Sequence, residues 1–282
     1  MRLIIVFLSL CLSGCSPISD KPFVYTEMAM STIAEITLFS DNKKAIKESF
    51  EEIKRIENKF SRFNKESEIS KINLNGSAVV SGECIDLLKE SIRYKEITNG
   101  AFDITKNNGN IFFSGNDVKL GKDTQIDLGG IAKGYAVDKI AGILRKNNIK
   151  RSMINIGGNL YLIGLPQSKN HWVVGIKDPS SPSKLKGRIK LNKEAGVSTS
   201  GDYERPGHII NPKTGESVKD VLSVTIIAKT ATEADALSTG VFVLGGGKGM
   251  ELIEKLPDVE GIIIDKDGVY VSSGLKDKYE PR

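Results

Sequence analysis

From Lys43 to Phe60 the apolar residues Ile46, Phe50, Ile53, Ile56 and Phe60 recur at intervals of three and four, the spacing of one buried stripe on an amphipathic helix. Ile85, Leu88, Ile92 and Tyr94 mark a second helix, ended near Asn99-Gly100. A third is expected just past Gly134, where Val137, Ile140, Ala141 and Leu144 share a face, and the strand-like TQIDL leads into it. From Arg151 onward the pattern changes. SMINIG, LYLIGL, WVVGIK, GRIKL and LSVTIIA read as strands, and GIIIDKDGVYVSS reads as a hairpin with Asp267-Gly268 in its turn. One more helix interrupts this series at ATEADALSTGVFVL, with Ala234, Leu237 and Val241 as its buried stripe. Helices early, strands late and few crossover units predict an α+β fold rather than a doubly wound parallel sheet. No repeat, low-complexity run or Pro/Gly-rich linker divides the chain, so its bulk is expected to form a single large domain of mixed helices and antiparallel strands.

The N-terminus follows a different pattern. After Met1-Arg2 comes LIIVFLSLCL, ten apolar-rich residues, where about 20 are needed to cross a bilayer. The block ends in Leu12-Ser13-Gly14-Cys15, which resembles a bacterial lipobox. The expectation is a lipoprotein signal peptide over residues 1–14, a lipidated tether over 15–22 with the lipid on Cys15, and a globular part over 23–282. Cys11 then leaves with the signal and Cys15 carries lipid, so Cys84 remains without a disulfide partner and is expected as a small core residue. The formal charge of +5 is mild, with Lys and Glu interspersed, and gives no reason to expect nucleic-acid binding.

Three stretches carry candidate chemistry. Asp235 and Thr239 are four residues apart in a predicted helix and so share a face. They could supply two oxygens to a hard cation such as Mg²⁺, or simply line a solvated surface. In IDLGGIAKGYAVD the spacing Gly129-Gly130-x-x-x-Gly134 fits neither the dinucleotide fingerprint nor the Walker loop. At a helix start it could offer backbone N–H groups and the Lys133 charge to an anion; the alternative is a tight connection whose glycines permit close packing. The polar stretch STSGDYERPGHIINPKTG holds His208, one of two histidines, either a proton-transfer group or a hydrogen-bonded structural residue. His171, beside Trp172 at a strand start, has no comparable setting.

Taken together in chain order, MAMSTIAEIT, FSRFNKESEISKIN, GAFDIT, IDLGGIAKGYAVD, INIGGN, VSTSGDYER with HIINPKTG, and ATEADALST resemble the ApbE family of FAD:protein FMN transferases, over roughly residues 28–240. The resemblance implies an α+β fold that binds FAD as substrate and uses Mg²⁺. The FMN half passes to a Thr hydroxyl of an acceptor protein as a phosphoester, and AMP leaves. Acceptors of the family are extracytoplasmic FMN-binding domains, such as subunits of the sodium-pumping NADH:quinone reductase and Rnf complexes. Some members instead hydrolyse FAD to FMN and AMP, and a non-catalytic flavin-binding lipoprotein would need no metal pair. By the resemblance, metal ligands fall on Asp235, Thr239 and the Gly130 carbonyl, with Ser238 adjacent. Flavin contacts fall on Met30, Phe63, Ala101, Phe102, Asp103, Asp127, Lys133 and Ile209. Met30 heads Met-Ser-Thr where many members have Met-Gly-Thr, and Phe63 stands where Tyr is frequent, keeping the ring but losing a hydroxyl. His208 is the candidate base for the acceptor Thr. The implied location is the bacterial cell envelope, lipid-anchored on the periplasmic side of the inner or outer membrane.

Overall fold

The structure is a computed structural model that describes residues 22–166, 170–202 and 207–282. The expected signal segment and Cys15 lie outside the described residues, as do positions 203–206 of the histidine-bearing stretch.

In chain order the elements are β1 (Phe23–Ala29), β2 (Thr32–Leu38), α1 (Lys43–Phe60), α2 (Glu68–Asn75), β3 (Ser77–Val79), α3 (Gly82–Ile97), β4 (Ile111–Ser114), β5 (Asp117–Leu120) and α4 (Ala132–Lys146). There follow β6 (Ser152–Ile156), β7 (Asn159–Ile163), β8 (Trp172–Asp178), β9 (Ser181–Leu191), β10 (Ala195–Gly201), β11 (Val221–Ala228), α5 (Ala231–Lys255), β12 (Glu260–Asp265), β13 (Val269–Val271) and β14 (Tyr279–Pro281). Eight strands form one sheet in the order β1-β2-β6-β7-β10-β11-β12-β13, and every neighbouring pair is antiparallel. The expected α+β class is what the chain adopts.

Strand alternation decides what lies on each face of this sheet. Leu162, Ala195, Val197, Ile227, Ile262 and Ile264 share a core with Trp172, Val174, Ile176, Ile189 and Leu191 of the small β14-β9-β8 sheet. The intervening positions face α4 and α5, with α1 packed outside α4. Gly196 shows how close the helix comes: a Cβ there would lie 2.3 Å from the Thr230 carbonyl carbon and 2.4 Å from Ala231 N.

The stripe of α1 is buried as its spacing predicts, and Asn42 caps the helix through Oδ1, which accepts from Ala45 N at 3.0 Å. Cys84 is a buried free thiol whose pKa is pushed well up by desolvation, as expected of a core residue. Two local readings differ from the structure. Helix α4 begins at Ala132, so Gly134 lies inside its first turn, and TQIDL forms only an isolated bridge, Thr105 with Ile126. The turn-rich VSTSG is largely a strand, β10. The β12–β13 hairpin forms as expected with Asp267-Gly268 in its turn, closed by Asp265 N donating to the Gly268 carbonyl at 3.0 Å.

Candidate active site

Helices α4 and α5 meet at their N-termini, and each caps the other. Asp138, nearly two turns into α4, accepts from Ala231 N (2.9 Å), Thr232 N (2.8 Å) and Thr232 Oγ1 (2.5 Å) at the start of α5. Asp235, one turn into α5, accepts through Oδ2 from Gly134 N at 2.9 Å at the start of α4. The crossing is tight because position 134 has no side chain; a Cβ there would lie 2.3 Å from the Ala231 carbonyl oxygen and 2.7 Å from Asp235 Cβ. Asp235 is 3% exposed. Desolvation raises its pKa, opposed by the Lys133 charge and the N–H groups of Gly134 and Lys133. The carboxyl group is thus buried, with the Lys133 charge and then two backbone N–H groups offsetting part of the cost of its ionisation, a setting that an adjacent cation would stabilise.

Thr239 follows Asp235 by one turn, and the Gly129-Gly130 loop lies over it. A Cβ on Gly130 would sit 3.1 Å from Thr239 Oγ1 and 3.2 Å from Phe102 Cε2, so a side chain here would have to push both neighbours back by a few tenths of an ångström. One carboxylate, one hydroxyl and a nearby backbone carbonyl make an all-oxygen donor set, which fits Mg²⁺ shared with phosphates and water. Among the described residues no three His, Cys, Asp or Glu side chains cluster as a metal cage, so the protein's share of such a site is the lean set just named.

The remaining candidates have the following settings. Lys133 Nζ donates to the Gly129 carbonyl at 3.0 Å, holding the loop against the helix. Asp127 accepts from Gly129 N at 3.0 Å through Oδ1 and pairs through Oδ2 with Arg62 Nε at 2.9 Å. The Arg62 guanidinium lies 4.4 Å from the centroid of the Phe63 ring, which is 77% exposed and free to meet a planar ligand. Ala101 and Phe102 are buried. Asp103 Oδ1 accepts from Thr105 N and Oγ1, both at 2.7 Å. Lys95 Nζ lies 2.7 Å from Asp103 Oδ2, a charge contact without aligned hydrogen-bond geometry. The GAFD segment therefore shapes the site from beneath.

Ile209 is buried, and its carbonyl accepts from Val218 N at 3.1 Å. His208 beside it is exposed, with Nδ1 3.7 Å from Asp202 Oδ1. Lys213 of the same loop reaches Gly100, whose Cβ would lie 3.3 Å from Lys213 Cε, so HIINPKTG folds against GAFD. Met30 sits in the β1–β2 turn, and the adjoining Gly157-Gly158 turn packs so closely that a Cβ on Gly157 would lie 2.8 Å from Thr32 Cγ2. His171 stands apart, at the start of β8 on the opposite face of the sheet.

Two surface clefts, about 470 and 640 Å³, contain none of Gly130, Lys133, Asp235 and Thr239, although the first shares Asp103. The chemistry of the groups, not cleft volume, marks the site. Sequence reasoning missed Asp138, Asn73 and the polar residues of β7 and β10. Asn73 clamps the IDLGG segment by accepting from Ile126 N (2.7 Å) and donating to the Ile126 carbonyl (2.8 Å). For Asp138 a signal was present: a carboxylate one turn after Gly134, next to the apolar stripe of α4.

The profile of the ApbE family matches residues 30–111 and 107–263, taking in nearly every group just described. The chain belongs to the ApbE family. Its curated relatives include an FAD:protein FMN transferase of Vibrio cholerae, 30% identical over 272 residues that cover 79% of this chain and 81% of that protein. A Haemophilus influenzae protein of the same name is 28% identical, with 96% and 94% covered. A Treponema pallidum one is 36% identical over 172 residues, 55% of this chain and about half (48%) of that one. Among solved structures, the ApbE protein of Thermotoga maritima superposes with a TM-score of 0.81 at 31% identity, covering 90% of this chain and 98% of its own. The flavin transferase ApbE of Vibrio cholerae gives 0.77 at 26% identity, covering 92% and 99%; it has also been solved with one histidine replaced by glycine.

Proposed function

We propose that this ApbE-family protein is an FAD:protein FMN transferase of the cell envelope. In this reading the acceptor Thr Oγ attacks the FMN-side phosphorus of FAD. The bond from that phosphorus to the bridging oxygen breaks, AMP leaves with that oxygen, and the Thr proton passes to His208. The observation that carries the reading is the convergence of the Gly130 backbone, Thr239 Oγ1 and the buried Asp235 carboxylate at the paired N-termini of α4 and α5, where an anionic pyrophosphate and its counter-ion are favoured.

Asp235, Thr239 and the Gly130 carbonyl would hold Mg²⁺, which when bound neutralises the charge that develops on the departing phosphate. Lys133 supplies a second positive charge at the loop. Phe63 offers an open aromatic face for the flavin, and Met30, Asp127 and Ile209 are the further flavin contacts in this reading. The acceptors are proteins with extracytoplasmic FMN-binding domains, reached from a lipid anchor on Cys15.

Incubation with FAD, Mg²⁺ and an FMN-binding acceptor domain, followed by mass measurement of the acceptor, tests the proposal. Addition of one FMN to a Thr with release of AMP is expected. Free FMN beside an unmodified acceptor would reassign the protein as an FAD pyrophosphatase, and intact FAD would overturn both.

A further inference from the structure

Beneath Thr239 a row of hydroxyls runs across the sheet to an amide. Thr239 Oγ1 lies 3.4 Å from Ser200 Oγ, Ser200 Oγ lies 2.9 Å from Ser238 Oγ, and Ser238 Oγ lies 3.1 Å from Ser198 Oγ. Ser198 Oγ donates to Asn159 Oδ1 at 2.7 Å. Strand alternation turns Ser198 and Ser200 of β10 toward α5, and register pairs Ser198 with Asn159 of β7. Asn159, Ser198 and Ser238 are no more than 2% exposed, so bulk water does not compete at that end of the row, while Ser200 and Thr239 are half-buried.

The hydrogens in this row can be assigned by counting. The Asn159 amide is oriented by its Nδ2, which donates to the Ile156 carbonyl at 3.3 Å, so Oδ1 faces Ser198 as an acceptor. Each hydroxyl has one hydrogen to donate. That of Ser198 is taken by Asn159, so the Ser198–Ser238 contact must be filled by the hydrogen of Ser238. The Ser200–Ser238 contact then takes the hydrogen of Ser200, and the last contact takes that of Thr239. Only the order Thr239 to Ser200 to Ser238 to Ser198 to Asn159 puts a hydrogen in all four contacts. The competing acceptor for Ser238 is the Asp235 carbonyl, 3.0 Å away, and choosing it leaves two buried oxygens facing each other without a hydrogen, which is unfavourable.

We propose that this row directs the Thr239 hydrogen toward Ser200 and so presents the Oγ1 lone pairs to the cation, with Ser200 and Ser238 as positioning residues. The inference rests on Asp235 and Thr239 being metal ligands, as argued above. It also moves Ser238 from the neighbourhood of the ligand set to the layer supporting it. A hydroxyl can ligate a cation only with its hydrogen turned away, and groups that orient metal ligands typically contribute 10–100-fold in affinity. Without Ser238, Ser200 is free to donate to Thr239 and reverse the row.

Titration of the full chain with Mn²⁺ alone, with free metal read by electron paramagnetic resonance, measures this directly. Ser200→Ala and Ser238→Ala are each expected to weaken Mn²⁺ binding by about tenfold at unchanged unfolding midpoint, and Ser200→Thr to restore it. Asp235→Asn, which keeps an acceptor for Gly134 N but loses the charge, is expected to abolish binding. Mn²⁺ affinity unchanged in Asp235→Asn would overturn the metal reading and the row with it. Loss in Asp235→Asn with wild-type affinity in both alanine variants would overturn the row alone, as would a lowered unfolding midpoint in those variants without any change in affinity.

Discussion

Met30 and Ser31, the two central residues of the β1–β2 turn, have φ of 50° and 60°, the geometry of a type I′ hairpin turn that glycine and asparagine adopt most readily. The left-handed conformation costs a residue with a Cβ about 1 kcal/mol. Ser31→Gly is therefore expected to stabilise the fold by about that amount, read as a higher urea midpoint, with FAD affinity unchanged because the Met30 side chain stays in place. His208 calls for a kinetic test. It stands exposed on the loop that folds against GAFD, outside the core, and as the proposed base it would meet the incoming acceptor. His208→Ala should lower single-turnover transfer at saturating FAD by ~10²–10⁴, the usual contribution of a positioned base, with little change in unfolding midpoint. An unchanged rate would withdraw it from the chemistry.

At the scale of elements, the site is built by two helices that use each other's carboxylates as caps, so ligand geometry and helix termination cannot be varied separately. The helices around it are tied together by Glu83 at the start of α3. Its carboxylate accepts from Arg55 Nη1 (2.8 Å) and Nη2 (2.7 Å) and from Lys59 Nζ (2.6 Å) on α1, and from Tyr135 OH (2.8 Å) on α4. Arg55 foremost, then Lys59 and Tyr135, hold the Glu83 pKa far below the usual carboxylate range against a desolvation penalty. A group whose folded-state pKa is depressed contributes stability above its unfolded pKa and loses it as pH falls toward the folded one. With partial exposure screening the ion pairs, Glu83→Gln should cost about 1 kcal/mol at pH 7. The gap from wild type should narrow as pH drops below about 4. Urea unfolding of both proteins from pH 7 to pH 3 checks this; a constant gap would mean that the charge does not matter.

On the scale of the whole molecule, β1 connects the proposed anchor to the site. It runs from Phe23, next in sequence to the expected tether, to the turn holding Met30, a span of about 23 Å at the usual rise per strand residue. The Met30 turn thus lies at the end of β1 opposite Phe23, the residue that the expected tether would join. Among the described residues no helix is long and apolar enough to cross a membrane, so the expected attachment rests on Cys15. Each buried lipid CH₂ contributes about 0.8 kcal/mol, enough for two or three long chains to hold firmly. Cys15→Ala should move the protein into the soluble fraction and leave its transfer rate in solution unchanged. Variant protein that still sediments with membranes after a salt wash would refute the lipobox reading.

What could be read from the chain alone was what is encoded within one turn or one strand. The bounds of α1, the core stripe of α4 and the shared face of Asp235 and Thr239 follow from the 3.6-residue period, which neighbouring residues carry by themselves. The serines of β10 belong to a stretch whose polar, turn-rich composition gives no strand signal of its own. Ser198 is buried and Ser200 half-buried because their hydroxyls meet α5 and Asn159, partners 38 to 40 positions away in sequence. Gly134 looked like the boundary of α4 and proved to be the place where α5 crosses it. Whether a glycine ends a helix or admits a neighbour depends on a chain segment about a hundred residues distant. The same holds for the Gly130 loop over Thr239 and for the reciprocal caps Asp138 and Asp235: residue types and spacing supply the donors and acceptors, and strand register and helix crossing determine which of them face one another.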